Sequence, residues 1–250
     1  MDAPIRLSDP ALQVRLSRAI DAEGKVARAV AELASVPGRR VVLVGASPRG
    51  RLARALRQAG AAQVTTRPSL ERPSGGMGRR RGPRIARPFD VLVASYCGFD
   101  EAGGPGLADA LLTLAQAELV PEGRVVAVQA YGRDDVSRLL ADPVRERRQV
   151  GWNHRRGPLL TSGWRVRTLH CWWRFGSLDA ARRFLVRAFP GPGAVVAAEL
   201  RRPRLSYKVG VFHRSLAGAE AATEPAHPAS DLPSDPASDP AIEATQLMTA

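Results

Sequence analysis

The sequence contains only two cysteines, two lysines and four histidines, and these scarcities exclude several kinds of site. Cys97 and Cys171 form no CxxC pair and the histidines are scattered, so we expect neither a metal centre nor a disulfide framework. No run of eighteen apolar residues is present, and we therefore expect no membrane span. The N-terminal residues lack the apolar segment of a signal peptide, which favours a cytoplasmic protein.

Basic residues outnumber acidic residues in the chain up to Arg214. All 37 lysines and arginines lie at or before Arg214, whereas six of the 24 acids follow it, and the formal net charge is +13. A field of this sign concentrates anions such as nucleic acid, phosphorylated metabolites or acidic lipid headgroups. Arginine-rich composition also arises from high-GC coding, and no RNA-binding motif is present. Three interpretations of the positive charge therefore stay open: it binds an anionic substrate, it binds nucleic acid, or it has no function.

A strand, a glycine turn and a helix are predicted in succession within residues 38–60. The β-branched run Val41–Val44 ends at Gly45, small residues continue to Gly50, and apolar residues then recur at helical spacing. Glycine lets a ligand approach the backbone, and the unpaired N–H groups of a first helical turn attract it. We therefore predict ligand-binding residues in this turn, and expect Gly45→Val to weaken the ligand without unfolding the domain. A purely structural turn is the alternative.

The alternation of elements predicts one α/β domain, mostly parallel and doubly wound, with an antiparallel last strand. We expect residues 1–36 to be helical, 37–216 to form the α/β domain, and 217–250 to be a disordered acidic tail rich in Pro, Ser and Ala. Seven arginines against one acid in Arg67–Pro88 predict a loop that recruits an anionic substrate or partner, or else a loop that is merely solvated.

Individual elements are predicted from apolar periodicity and turn residues. Strands are expected at 41–44, 62–66, 89–94, 124–129, 163–173 and 206–214, and helices at 10–36 (whole or broken near Gly24), 52–59, 107–119, 134–140 and 177–188. Residues 120–123, Val-Pro-Glu-Gly, are expected to form a turn before the strand at 124–129.

This order of elements resembles that of the class I S-adenosylmethionine-dependent methyltransferases over about residues 25–215. The features that match best are the strand-turn-helix at Val41–Leu56, the strand Phe89–Ala94 and the segment Leu119–Val126, which is similar to that family's Leu-x-Pro-Gly-Gly motif. The resemblance implies S-adenosylmethionine as cofactor and a crevice at the carboxyl ends of the strands. It also implies a small-molecule or anionic methyl acceptor held in line with the methyl group.

The resemblance also assigns site residues. The cofactor-binding residues that it implies are Gly45, Ala46, Ser47, Gly50, Thr66, Arg67, Ser95 and Tyr96. Tyr96 and His154 are the candidate catalytic residues, because Tyr96 ends a strand at the crevice and His154 lies in the link expected to cover it. A structural tyrosine and a solvated loop histidine are the alternatives.

The sequence departs from the family at the positions of its usual carboxylates. Leu43 stands where the first strand normally carries an acid, and Thr65, Thr66 and Arg67 stand where a second acid normally meets the ribose hydroxyls. Charge-assisted hydrogen bonds of this kind contribute roughly 1.5–3 kcal/mol each. Residues 67–88 are also too few and too polar for the family's third strand and its helices. Adenosine binding is therefore expected to be weak, rebuilt by other residues, or absent.

Two other classes of function remain. An NADP-dependent reductase would use the Gly45 turn and an arginine such as Arg67 for the 2′-phosphate, but it needs a Tyr-x-x-x-Lys pair. Neither Lys25 nor Lys208 follows a tyrosine by four residues. The other class is a non-catalytic relative that binds RNA, an anionic ligand or a protein through its basic surface.

Overall fold

A computed structural model describes residues 5, 7–21, 23–68, 88–97, 105–139, 154 and 156–217. Most of the predicted arginine-rich loop, 69–87, and of the predicted acidic tail, 218–250, lies outside these residues. None of the described helices is long and apolar enough to cross a membrane.

The helices and strands alternate along the chain as expected. The helices are α1 Pro10–Ala19, α2 Lys25–Ala34, α3 Arg51–Gln58, α4 Pro105–Glu118, α5 Asp135–Leu139, α6 Pro158–Thr161, α7 Leu178–Ala188 and α8 Pro192–Glu199. The strands are β1 Arg40–Val44, β2 Gln63–Arg67, β3 Phe89–Ser95, β4 Leu119–Ala130, β5 Arg165–Arg174 and β6 Arg204–Ser215.

The six strands form one sheet in the order β2-β1-β3-β4-β6-β5. The pairs β1–β2, β1–β3 and β3–β4 are parallel, whereas β6 runs antiparallel to both β4 and β5. The chain order reverses direction at β1, since β2 lies on one side of it and β3 on the other. This is the predicted fold class, a mostly parallel doubly wound sheet with an antiparallel last strand, and the prediction is confirmed.

Alternating residues of the central strands fill two separate cores, one on each face of the sheet. Leu43 and Val93 pack with apolar residues of α1, α2 and α3 on one face. Val42 and Leu92 pack with residues of α4 and α6 on the other. Both faces being covered explains why these strands are continuous apolar runs.

The N-terminal segment forms two helices that are separated near Gly24, which is one of the two forms that the sequence left open. The Asp9 carboxylate accepts hydrogen bonds from the N–H groups of Ala11 and Leu12 at 2.8 and 3.2 Å and so caps α1, with Pro10 as its first residue. Asp21 and Gly24 then both adopt left-handed backbone conformations, which ends one helix and turns the chain into the next. Helix α2 then packs against β4, β5 and β6.

The prediction of a turn between elements at residues 120–123 is wrong. Residues 120–123 belong to β4, as an irregularity in its pairing with β3: Phe89 pairs with Leu119, and Val91 already pairs with Arg124. The extra residues bulge out of the ladder, which local Pro and Gly signals cannot distinguish from a turn between elements. Helices α6 and α8 were not predicted, since α6 is a single turn and the apolar residues of α8 lack helical periodicity.

Candidate functional site

A cavity of about 270 Å³ lies at the carboxyl ends of β1 and β3. The turn after β1, the start of α3, the end of β3 and the α1–α2 link enclose it. Its lining residues are Ser17, Ile20, Asp21, Val26, Ala27, Ser47, Gly50, Arg51, Leu52, Ser95 and Tyr96. Open α/β sheets bind ligands outside the carboxyl ends of their strands where the strand order reverses, and this cavity lies at that position.

The turn after β1 is held tightly against the end of β3. Gly45 has a φ of +79°, and a Cβ atom there would lie 2.5 Å from the Ser95 carbonyl oxygen and 2.9 Å from the Cys97 Cβ. Gly50 precedes α3 without a side-chain cap, so the first N–H groups of that helix remain available at the cavity. A side chain at Gly45 would have to displace these atoms, so we now expect Gly45→Val to destabilise the domain in addition to weakening a ligand.

Asp21 is the acidic residue of the cavity. Its Oδ2 accepts a hydrogen bond from the Val26 N–H at 3.2 Å, while its buried Oδ1 makes no hydrogen bond of normal geometry with the residues that the structure describes. Arg51 Nη1 donates to the carbonyl oxygens of Ile20 and Asp21 at 2.8 and 2.7 Å, which fixes the link against the start of α3. Burial raises the pKa of Asp21, opposed by N–H groups at the start of α2 and by the Arg51 charge.

Tyr96 follows β3 in a left-handed conformation, with a φ of +48°. Its N–H still donates to the Val128 carbonyl oxygen at 2.9 Å, so the ladder with β4 continues to this residue. The Tyr96 hydroxyl faces the phenol of Tyr207, whose pKa is raised well above its ordinary range first by burial and then by Tyr96. Bulky residues rarely adopt positive φ, and such strain concentrates at functional positions.

The two residues beside Tyr96 have different environments. Ser95 lines the cavity although its overall exposure is only 1%. The Cys97 thiol donates to the Val44 carbonyl oxygen at 3.8 Å, and burial raises its pKa to about 11. A thiol with that pKa stays protonated at neutral pH, so Cys97 packs the Gly45 turn and is not an activated nucleophile.

The structure brings four of the predicted site residues to this cavity, namely Ser47, Gly50, Ser95 and Tyr96. Gly45 and Ala46 shape the turn behind it, and Ala46 is buried. Thr66 and Arg67, at the end of β2, do not line it, and Arg67 forms an ion pair with Glu118 of α4.

His154 is exposed and also lies away from the cavity lining. Its Nδ1 accepts a hydrogen bond from the Arg156 N–H at 3.2 Å, and its carbonyl oxygen accepts one from the Gly157 N–H at 2.7 Å. These contacts shape the approach to α6.

Sequence reasoning missed Asp21 and Arg51. Asp21 precedes Gly24 in a break between helices, which indicates a turn but not what the carboxylate faces. Arg51 is one of several arginines in its segment, and the sequence gives no reason to assign it a different role from the others. Only the packing of α1 and α2 against the start of α3 brings these two residues to the glycine turn.

No family model matches this chain, and no curated protein matches it. Among solved structures, it is similar to a cyclopropane-fatty-acyl-phospholipid synthase-like protein from Lactobacillus casei, at 14% identity and a TM-score of 0.41, covering 84% of this chain and 96% of that one. It is also similar to a SAM-dependent methyltransferase from Thiobacillus denitrificans in complex with S-adenosyl-L-homocysteine, at 13% identity and a TM-score of 0.33, covering 85% and 93%.

A third similar structure is an O-methyltransferase of tomaymycin synthesis from Streptomyces achromogenes in complex with SAM. The identity is 17% and the TM-score 0.30, and the match covers 83% of this chain and 90% of that one. At such low TM-scores these likenesses carry no argument about function. The sheet and its cavity define the chain as a doubly wound α/β protein with a ligand-sized space at the strand ends.

Proposed function

We propose that this chain is a methyltransferase-like protein that binds S-adenosylmethionine in the cavity beside the Gly45–Gly50 turn. The observation that carries the proposal is Asp21, which lines the cavity and has a buried carboxylate oxygen without a hydrogen-bond partner of normal geometry in the described part of the chain. Related enzymes carry their carboxylates at positions where this chain has Leu43 and Thr66. Asp21 supplies a negative charge to the same end of the sheet from another element.

The donor and acceptor groups of the cavity suit the ligand. The Asp21 Oδ1 accepts hydrogen bonds from an ammonium group or from ribose hydroxyls. The first N–H groups of α3 attract a carboxylate or a hydroxyl oxygen, and Ser47 and Ser95 add hydroxyl groups. Apolar lining from Ile20, Val26 and Leu52 suits a ring or a methylene chain, and the volume is close to the lower end of the range for small-molecule pockets, roughly 300–1,000 Å³.

S-adenosylmethionine would supply an electrophilic methyl group on sulfur, and the protein's contribution would be binding and orientation. Tyr96 is the residue that we propose next to the reacting groups, since it lines the cavity at a strained backbone position. His154 stays a proposed general base for a protonated acceptor. The acceptor itself is best sought by mass spectrometry of small molecules that co-purify with the protein.

The test is isothermal titration of the full chain with S-adenosylhomocysteine. We expect binding by the wild type and at least tenfold weaker binding by Asp21→Asn, because a charge-assisted hydrogen bond contributes roughly 1.5–3 kcal/mol. Asn suits the left-handed backbone at this position and can still accept from the Val26 N–H. Asp109→Asn, a change of the same kind on an exposed part of α4, is the matched control. No binding by the wild type would contradict the proposal.

A second candidate function is ligand binding without catalysis. It is favoured by the protonation states at the strand ends, because burial raises the pKa of the Cys97 thiol to about 11 and holds that of the Tyr207 phenol well above its ordinary range. Neither group can act as a base at neutral pH. Binding of S-adenosylhomocysteine together with no methyl transfer to any co-purifying molecule would select this candidate.

A further inference from the structure

A larger cleft, of about 740 Å³, lies toward the opposite ends of the strands, where β5 begins and β6 ends. Its lining residues are Glu32, Leu33, Arg124, Thr161, Ser162, Gly163, Arg165, His213, Arg214 and Ser215. The antiparallel pairing produces this grouping, because Arg124 pairs with Ser215 and Arg165 pairs with His213. None of these residues lines the cavity near Asp21.

Three arginines from three neighbouring strands line this cleft, and none contacts a carboxylate among the described residues. Arg124 Nη1 donates to the Leu33 carbonyl oxygen at 3.0 Å and to the Ser35 hydroxyl at 2.9 Å. Arg214 Nη1 donates to the Ser162 carbonyl oxygen at 2.5 Å. No hydrogen bond or ion pair of the Arg165 side chain is found in the described part of the chain. The neutral partners orient two guanidinium groups without cancelling their charge.

The remaining charges preserve the positive potential of the cleft. Glu32, at its rim, forms an ion pair with Arg167, whose Nη1 lies 2.6 Å from Oε2. His213, on β6 between β4 and β5, is half-buried. Its pKa is lowered by burial and then by the charges of Arg165 and Arg124. That direction is the one expected where positive groups already crowd the site. The carbonyl oxygens at the end of α2 would repel an anion. The Leu33 carbonyl oxygen, however, already accepts a hydrogen bond from Arg124.

We propose that this cleft binds a small molecule that carries two or three phosphate groups. Guanidinium groups bind phosphate oxygens in a bidentate manner. The positive charge of three guanidinium groups without acidic partners exceeds the negative charge of a single phosphate group. The volume lies within the range of small-molecule pockets, roughly 300–1,000 Å³. The cleft is bounded by the end of α2 and by residues 161–163, and the Glu32 carboxylate at its rim disfavours a continuous phosphate backbone.

The experiment measures binding of inorganic tripolyphosphate to the full chain by isothermal titration at fixed ionic strength. We expect saturable binding at one site, weakened about tenfold or more in Arg165→Gln, because one charge-assisted contact is lost. Arg183→Gln, on the exposed side of α7 and outside the cleft, is the matched control and should bind as the wild type does. Circular dichroism establishes that each variant is folded.

A second variant keeps the test decisive if the arginine is needed for folding. Ser215 is exposed at the cleft, so Ser215→Glu places a carboxylate among the arginines without removing any of them, and we expect a similar loss of binding. Equal affinities of Arg165→Gln, Ser215→Glu and Arg183→Gln would overturn the proposal, as would no binding by the wild type.

A single-stranded oligonucleotide is titrated in parallel to test the polymeric source of phosphate. If Arg165→Gln weakens the oligonucleotide but tripolyphosphate does not bind, the cleft is a nucleic-acid surface and the proposal is wrong. The result is independent of the cavity near Asp21, because S-adenosylhomocysteine binding is measured separately and involves the carboxyl ends of β1 and β3.

Discussion

The Gly45 α-carbon and the Ser95 carbonyl oxygen are so close that a Cβ atom on Gly45 would lie 2.5 Å from that oxygen. This approach joins the turn after β1 to the end of β3 and defines one wall of the candidate cavity. Ser95 and Tyr96 reach the cavity because the turn packs directly beneath them. The glycine is thus needed for the shape of the site whether or not a ligand touches it.

Replacing Gly45 by alanine should destabilise the protein more than its backbone conformation alone requires. We expect a loss of about 2–5 kcal/mol in the free energy of unfolding, from about 1–2 kcal/mol for a left-handed residue and about 1–3 kcal/mol for the displaced contact. Gly38 is the matched control, because it has a φ of +72° but a Cβ atom there would meet open space among the described residues. Urea denaturation of both variants gives the comparison, and equal losses would show that the Ser95 contact costs nothing.

Asp21→Asn should make the protein more stable at neutral pH while weakening its ligand. Burial raises the pKa of Asp21, so the folded state holds the proton more tightly than the unfolded state. Stability from this group is therefore complete below its ordinary pKa of 3.8 and is lost as pH rises through the folded-state value. The Asp21→Asn variant does not lose stability in this way. Thermal melting should therefore show a higher melting temperature for the variant than for the wild type above about pH 4, but not below it. An advantage independent of pH would contradict this account.

Asp90 should have the opposite pH dependence. Its Oδ2 accepts hydrogen bonds from the Arg40 N–H at 2.7 Å and from Arg40 Nε at 3.3 Å, which ties the start of β3 to the start of β1. Burial favours the neutral form, but these bonds and the arginine charges prevail and lower the pKa of Asp90. This stabilisation is present above pH 3.8 and is lost as pH falls through the lower folded-state value.

Asp90→Asn should consequently cost about 1–3 kcal/mol at pH 7, the range for a hydrogen bond to a charged group and its unpaired partner. The difference from the wild type should shrink as pH falls below 3.8. Urea denaturation at several pH values measures it, with Asp109→Asn as the exposed control. A constant difference between the two proteins across this pH range would rule out the ionised Asp90 as its origin.

Removal of the Arg165 charge should raise the pKa of His213. Burial lowers this pKa first, and the charges of Arg165 and Arg124 lower it further. The wild type should therefore lose stability as pH falls below 6.5, the ordinary value, because the unfolded chain takes up the proton more readily. Proton NMR titration of His213 in Arg165→Gln, with Arg183→Gln as control, measures the change. Identical titrations in all three proteins would show that the cleft charges do not act on His213.

Local sequence determined the main elements and the fold class. Val41–Val44 and Val91–Ala94 are apolar on both faces, as in a strand that is covered on both sides, and Asp9 with Pro10 begins a helix by capping alone. Short-range chemistry likewise fixed the turn at Gly45. These features need few distant partners, so they can be predicted from neighbouring residues.

Only the tertiary structure decided which side chains share a site. Asp21 and Arg51 meet because α1 and α2 pack on the face of the sheet where α3 begins, whereas Arg67, predicted at the cofactor, pairs with Glu118 of α4. Arg124, Arg165 and Arg214 line one cleft because β5 and β6 run antiparallel in one register. The sequence records each charge but not its neighbours, since long-range pairing depends on the packing of the whole sheet.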